Sequence, residues 1–213
     1  MSVLRILTFL VAIAVLCGAT SLAQAQGAAS KGAKEATPRP APAAKSTAKP
    51  PAKPEPAATA AAGGAEPNLI GQYGTWGAYT ATPNGRKVCF ALAKPASSKT
   101  NPPNRPRDPA YAFVSSRPAE KVVNEVSIMI GYALKPGSES SLEVGGSSFA
   151  MYTQGDGLWI KNAAEEEQMV NAMRKSAEAT VRGISAKGTE TTDVFSLKGL
   201  SQALDRVAQD CKR

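Results

Sequence analysis

The 213-residue chain contains no histidine. This absence removes the commonest general base, proton shuttle and metal ligand together. Ser-His-Asp and Cys-His catalysis, HExxH metalloprotease chemistry and Cys/His zinc sites are therefore excluded. Cysteines number only three, too few for a disulfide-dense mini-scaffold, and aromatics make up 6% of the chain. A hydrophobic content of 43% over this length suits one ordinary domain with something appended, not a multidomain machine.

No apolar run is long enough to span a membrane. The longest, Ile6 to Leu16, covers 11 residues, against the roughly 20 that a spanning helix needs. Arg5 before it, and the small-x-small pattern of Ala23 and Ala25 after it, predict a signal peptide over residues 1–25, cut after Ala25. An uncleaved anchor is the alternative. Leu16 stands where a lipobox would place a small residue before Cys17, which argues against lipidation. Export implies an oxidising compartment, and cleavage leaves Cys89 and Cys211, which permit one disulfide with one connectivity. Two free buried thiols are the alternative. No CxxC is present to activate a catalytic thiol.

Residues 26–67 hold no Val, Ile, Leu, Met or aromatic residue. With little but methyl groups to bury, such a segment cannot offset the entropy of ordering. Its Ala/Pro/Lys texture predicts a disordered, semi-extended linker over 26–68, with six basic and three acidic residues. A net charge of this sign suits contact with an anionic envelope, though a merely solvated linker is the plainer reading. Ser46-Thr47-Ala48-Lys49 matches the SxxK pattern, but a disordered tract cannot supply the rigid, buried serine that this chemistry needs.

Residues 69–213 form the expected domain, with 18 basic and 14 acidic residues and no Lys/Arg-rich run. Nucleic-acid binding is not expected. Period-two patterns predict strands at 73–81, 87–93, 110–115, 122–134, 142–144, 147–152, 158–161, 179–186 and 191–195. Gly145-Gly146 and Asp156-Gly157 mark tight turns. Asn162, with Glu165 three residues on, predicts a capped helix whose apolar stripe is Met169, Val170, Met173 and Ala177. Glu165, Glu166 and Glu167 fan out around its first turn, so a solvated face is a better reading than a catalytic cluster. Ser196 predicts the N-cap of a last helix, and Leu197, Leu200, Leu204, Val207 and Cys211 recur at 3, 4, 3 and 4. That stripe turns Cys211 toward the sheet and Cys89. The class is mainly β: an antiparallel β-sandwich with two peripheral helices. Trp76 and Trp159 are both expected in its core.

The segment Thr100 to Pro109 holds four prolines and presents Arg105 and Arg107, with Arg117 one strand later. Such a loop is stiff and is not expected to join a ladder. It is either a rigid crossover whose arginines pair with local acids such as Asp108, the preferred reading, or a ligand or partner loop in which guanidinium groups meet carboxylate or phosphate. Carboxylates at Glu125, Glu139, Glu143 and Asp156 are candidates for envelope-polymer hydrolysis, but nothing in the sequence fixes two of them at a working separation.

Trp76-Gly77-Ala78-Tyr79, Lys87-Val88-Cys89-Phe90-Ala91-Leu92, the Asn101–Pro109 loop, Phe149-Ala150-Met151-Tyr152 and the tail from Phe195-Ser196-Leu197-Lys198-Gly199-Leu200 to Cys211 together resemble the invasion-associated locus B family of small exported bacterial proteins. The resemblance covers nearly all of 73–211. It implies an immunoglobulin-like β-sandwich in the periplasm, with the cell surface or secretion as alternatives, and an association with invasion of host cells or with envelope integrity. It carries over no catalytic residue. The expectation is a non-enzymatic module with no cofactor and no metal, whose partner is a protein or an envelope polymer. A carrier or inhibitor of an anionic ligand at the Arg105/Arg107 loop is the alternative, and a carboxylate-based hydrolase a weaker one.

Overall fold

A computed structural model of the chain describes residues 62–212. The expected signal peptide and the linker up to residue 61 lie outside the described residues. Eleven strands appear: β1 (Asn68–Tyr73), β2 (Trp76–Ala81), β3 (Val88–Ala93), β4 (Ser97–Asn101), β5 (Tyr111–Arg117), β6 (Val122–Met129), β7 (Ser140–Val144), β8 (Ser147–Gln154), β9 (Gly157–Ile160), β10 (Glu178–Ile184) and β11 (Glu190–Ser196). Two α-helices accompany them among the described residues, α1 (Glu166–Lys175) and α2 (Leu200–Cys211). The class is thus mainly β and antiparallel with two helices.

The strands form one ladder in the order β1-β2-β3-β5-β6-β9-β8-β7-β10-β11-β4. This ladder folds back on itself. Trp76 of β2 donates its indole N–H to the Ser196 carbonyl of β11 at 2.8 Å. Those strands stand eight places apart in the order, which on a flat sheet would be roughly 38 Å at ~4.8 Å per strand. The inward side chains of β2 through β11 consequently meet in one buried cluster, with Trp76, Ile128, Leu142, Leu158 and Phe195 at its centre. β3 is buried on both faces: Cys89 and Ala91 join that core, while Val88, Phe90 and Leu92 join a second cluster with Phe113 on the other side. Ala62, six residues before β1, is fully buried in the second cluster. A methyl group finds a partner there that composition alone does not reveal.

Several elements differ from expectation. The stretch 73–81 splits into β1 and β2 around Gly74 and Thr75. β4 is an exposed polar edge strand without hydrophobic alternation, and it carries Thr100 and Asn101 of the proline-rich loop into the ladder opposite Thr191 and Glu190. Both residues precede the first proline, so their N–H groups are free to pair. Ser196 does not cap the last helix. It still pairs with Glu178 in β11, and the helix starts behind Gly199, whose φ is +96°. A Cβ on Gly199 would collide with the Tyr73 carbonyl, so the link into α2 nests against the β1–β2 turn through glycine. Asn162 caps as expected, accepting from the Ala164 N–H at 3.2 Å, but a 3-10 turn over Ala163–Glu165 comes before α1.

α2 lies against β1, β2, β3 and β5. Leu200, Ala203, Leu204 and Val207 are buried, and Leu197 precedes them on the same stripe. Its last turn is held twice. Lys87 donates to the Asp210 carbonyl at 2.6 Å, which also accepts the Lys212 N–H; a cation at a helix C-terminus is favourable. Cys211 is disulfide-bonded to Cys89, with Cα atoms 6.0 Å apart and a sequence separation of 122. Chain-entropy reasoning bounds the contribution of so long a loop at about 4–5 kcal/mol. Replacing both cysteines by serine is expected to lower the thermal midpoint and to raise amide exchange first in the last turn of α2. An unchanged midpoint in non-reducing buffer would contradict this.

Candidate functional site

The proline-rich loop leaves β4 at Asn101 and reaches β5 at Tyr111. Its position is set by Arg107. The inward row of β11 reads Thr191, Asp193, Phe195, which puts a carboxylate on the apolar side of the strand. Asp193 is 0% exposed and Arg107 10%. Arg107 grips it with both terminal nitrogens: Nη1 lies 2.7 Å from Oδ2, and Nη2 contacts Oδ1. Nη1 also donates to the Ile130 carbonyl just beyond β6 at 2.9 Å. The adjoining backbone closes over the same point, with the Asp108 N–H donating to the Gly131 carbonyl at 3.0 Å. Gly131 sits at φ +82°, and a Cβ there would strike the Asp108 carbonyl, so only glycine allows this approach.

Beside this pair the Tyr132 hydroxyl meets Thr191 Oγ1 at 2.6 Å. Burial pushes the Tyr132 phenol above its ordinary value; the bond to Thr191 and the charge of Arg107 oppose the shift, and Asp193 adds to it. Together the loop, Tyr132 and the β10–β11 turn enclose a cavity of about 690 Å³. Arg105, Arg107 and Lys187 line it, and no carboxylate does. Arg105 and Lys187 are exposed.

Of the three arginines singled out in the sequence, the structure brings Arg105 and Arg107 to one cavity and leaves Arg117 elsewhere. Arg107 is committed to Asp193, 86 residues away, not to the neighbouring Asp108. Arg117 ends β5, about 20 Å along the strand from Tyr111. There it holds Glu125 with both terminal nitrogens at 2.9 and 3.0 Å, and Glu120 through Nε at 2.7 Å. These bonds, Glu125 first, raise its pKa further. Arg117 is therefore a strand-end clamp and not part of the loop's site, because β5 carries it away from the prolines.

Two further carboxylates are similarly occupied. Glu143 pairs with Arg182 at 3.0 Å. Glu166 turns back from α1 to accept the Val126 N–H at 2.8 Å. Burial holds the Glu166 carboxyl above the usual range, and the charge of Glu125 adds to this, while the Val126 N–H and Arg117 pull it down. Among the described residues no group of His, Cys, Asp or Glu is placed to hold a metal ion, and no helix is long and apolar enough to cross a membrane.

The model of the Invasion associated locus B (IalB) protein family matches residues 76–208, from the first residue of β2 into the last turns of α2. The chain belongs to the invasion-associated locus B family. No curated protein and no solved structure matches it. The family match takes in the proline-rich loop, Asp193 and Cys89, and stops three residues short of Cys211.

Sequence reasoning missed Asp193, although Thr-Thr-Asp-Val-Phe places an acid on the inward parity of a strand. It also misplaced Trp159. Trp76 is fully buried as expected, but Leu158 and Ile160 face the core, which turns Trp159 outward.

Glu166 makes stability depend on pH. A carboxyl with a raised pKa binds its proton more tightly in the folded state, so its contribution falls as pH rises out of the ordinary carboxylate range and stays lower at neutrality. Glu166→Gln keeps an acceptor for Val126 and removes the charge. The midpoint of the parent protein is expected to fall relative to this variant as pH rises from 4 to 7. Parallel profiles would contradict it.

Proposed function

We propose that the protein is a non-enzymatic module of the cell envelope, working in the periplasm or at the cell surface as an interaction partner in host-cell invasion or envelope integrity. The observation that carries this reading is family membership across 76–208. Three further features support it. The N-terminal residues read as an export signal. Cys89 and Cys211 are bonded to each other, which suits an oxidising compartment. Glu125 and Glu143 are each held by an arginine, which leaves them poor candidates for the acid/base pair of a hydrolase.

A second reading rests on the cavity beside the proline-rich loop. Arg105 and Lys187 border about 690 Å³ with no carboxylate in its lining. This is a fit for an anionic ligand, with Lys187 in the place the sequence assigned to Arg107. Arg107, held from behind by Asp193, forms part of its wall.

Fractionation of the producing cells with crosslinking is expected to recover the protein outside the cytoplasm, joined to an envelope protein or polymer. Cytoplasmic recovery, or turnover of an envelope polymer by the purified chain, would contradict the main reading. The charge-reversed double variant R105E/K187E is expected to lose salt-sensitive retention in that fraction; unchanged retention would remove the cavity from the account.

A further inference from the structure

The outer face of β8 and β9 carries a pair of aromatic rings that the core does not use. Tyr152 and Trp159 are register partners on these strands, with ring centroids 5.8 Å apart and planes 24° from parallel. Tyr152 is 45% exposed. The indole of Trp159 lies back over Gly157, where any Cβ would meet its six-membered ring. The bare Cα thus lets the ring lie low along the sheet. The next outward row holds Lys161 of the β9 end, Ala150 of β8, Ser141 of β7 and Arg182 of β10, in register. Ala150 and Ser141 are short, and a cleft of about 660 Å³ opens over them, one outward row from the rings. Its charged lining is balanced: Lys161 and Arg182 against Glu139 and Glu190.

We propose that this face docks a glycan strand of the cell's own wall. The proposal names a partner for the interaction module above and rests on that reading. Low-lying aromatic rings offer a flat apolar surface to the C–H face of a sugar ring while keeping their edges available to polar groups. Sugar hydroxyls are donors and acceptors at once, and the cleft supplies both: ammonium and guanidinium donors, carboxylate acceptors, and serine and threonine hydroxyls. A densely anionic polymer or a lipid headgroup would call for an excess of cations, which this cleft lacks and the Arg105/Lys187 cavity has; a wall glycan carries at most one carboxylate on every second sugar, a sparse charge that Lys161 and Arg182 suffice to meet. Strand addition by a peptide is excluded here because β8 and β9 are interior strands, paired on both sides. From β9 to β10 the row crosses three strand spacings, roughly 14 Å, room for a short run of sugar rings.

The test is co-sedimentation of the full secreted chain with purified murein sacculi, together with titration by soluble glycan strands freed of their stem peptides. Trp76 is fully buried, so a ligand-dependent change in tryptophan fluorescence reports on Trp159. Saturable binding of both probes with such a change is expected. Y152A and W159A should each weaken it by about tenfold, the scale of one lost stacked aromatic contact. Gly157→Ala, which keeps both rings but lifts the indole, should weaken it less, with thermal midpoints near the parent's. Binding unaffected by all three variants would overturn the proposal. So would binding of intact sacculi without binding of bare strands, which would make the stem peptide the ligand. If neither probe binds while crosslinking still captures an envelope protein, the glycan proposal fails and the module reading stands; cytoplasmic recovery would sink both.

Discussion

A single buried ion pair organises the end of this protein that carries the proline-rich loop. Asp193 faces into the core from β11, and an isolated carboxylate there would be intolerable. Arg107 answers it with a two-pronged guanidinium that also caps the Ile130 carbonyl. The side chain comes from a loop whose prolines restrict where it can go. One contact therefore joins the β4–β5 loop to β11 and to the end of β6, strands that are distant in ladder order. Arg107 of that pair forms part of the wall of the loop cavity, and Arg105, two residues earlier, stays exposed at its edge. Burying such a pair adds little net stability compared with an apolar core, but removing one partner leaves an uncompensated charge. What it does here is tie the loop to β11 and to the end of β6.

The opposite part of the fold is held by other means. Trp76 ties β2 to the end of β11, Gly199 lets the chain pass the β1–β2 turn, and α2 then covers β1, β2, β3 and β5. The Cys89–Cys211 bond and the Lys87 contact fasten the far end of that helix. Invasion-associated locus B membership thus coincides with a domain locked at both ends and carrying two open surface features: a basic cavity by the proline-rich loop and a cleft over β7, β8 and β10, one row from the Tyr152–Trp159 rings.

Much of this was legible wherever the physics is local. The Gly145-Gly146 turn, the alternation of Val126 and Ile128, and the stripe ending at Cys211 all appear where periodicity placed them. Misses arose where the deciding partner is far away in sequence. Arg107 and Asp193 are 86 residues apart, so a local search offered Asp108 instead. β4 is polar throughout and owes its strand state to β11, not to its own pattern. The start of α2 was misread because a serine is a good cap in isolation, while the Tyr73 carbonyl demands a glycine three residues later. Trp159 was misread from residue type, although Leu158 and Ile160 on either side already assign its parity. One further signal went unused: Gly71-x-Tyr73, Gly77-x-Tyr79 and Gly157-x-Trp159 each place a ring over a glycine two residues earlier.

The most direct measurement of the central claim is a double-mutant cycle on Arg107 and Asp193 by chemical denaturation. Arg107→Met and Asp193→Leu are each expected to cost about 3–5 kcal/mol, since each strands a buried charge, while the double variant should lose far less than their sum. Single losses below about 1 kcal/mol that simply add in the double variant would mean that the pair does not hold the loop to the sheet.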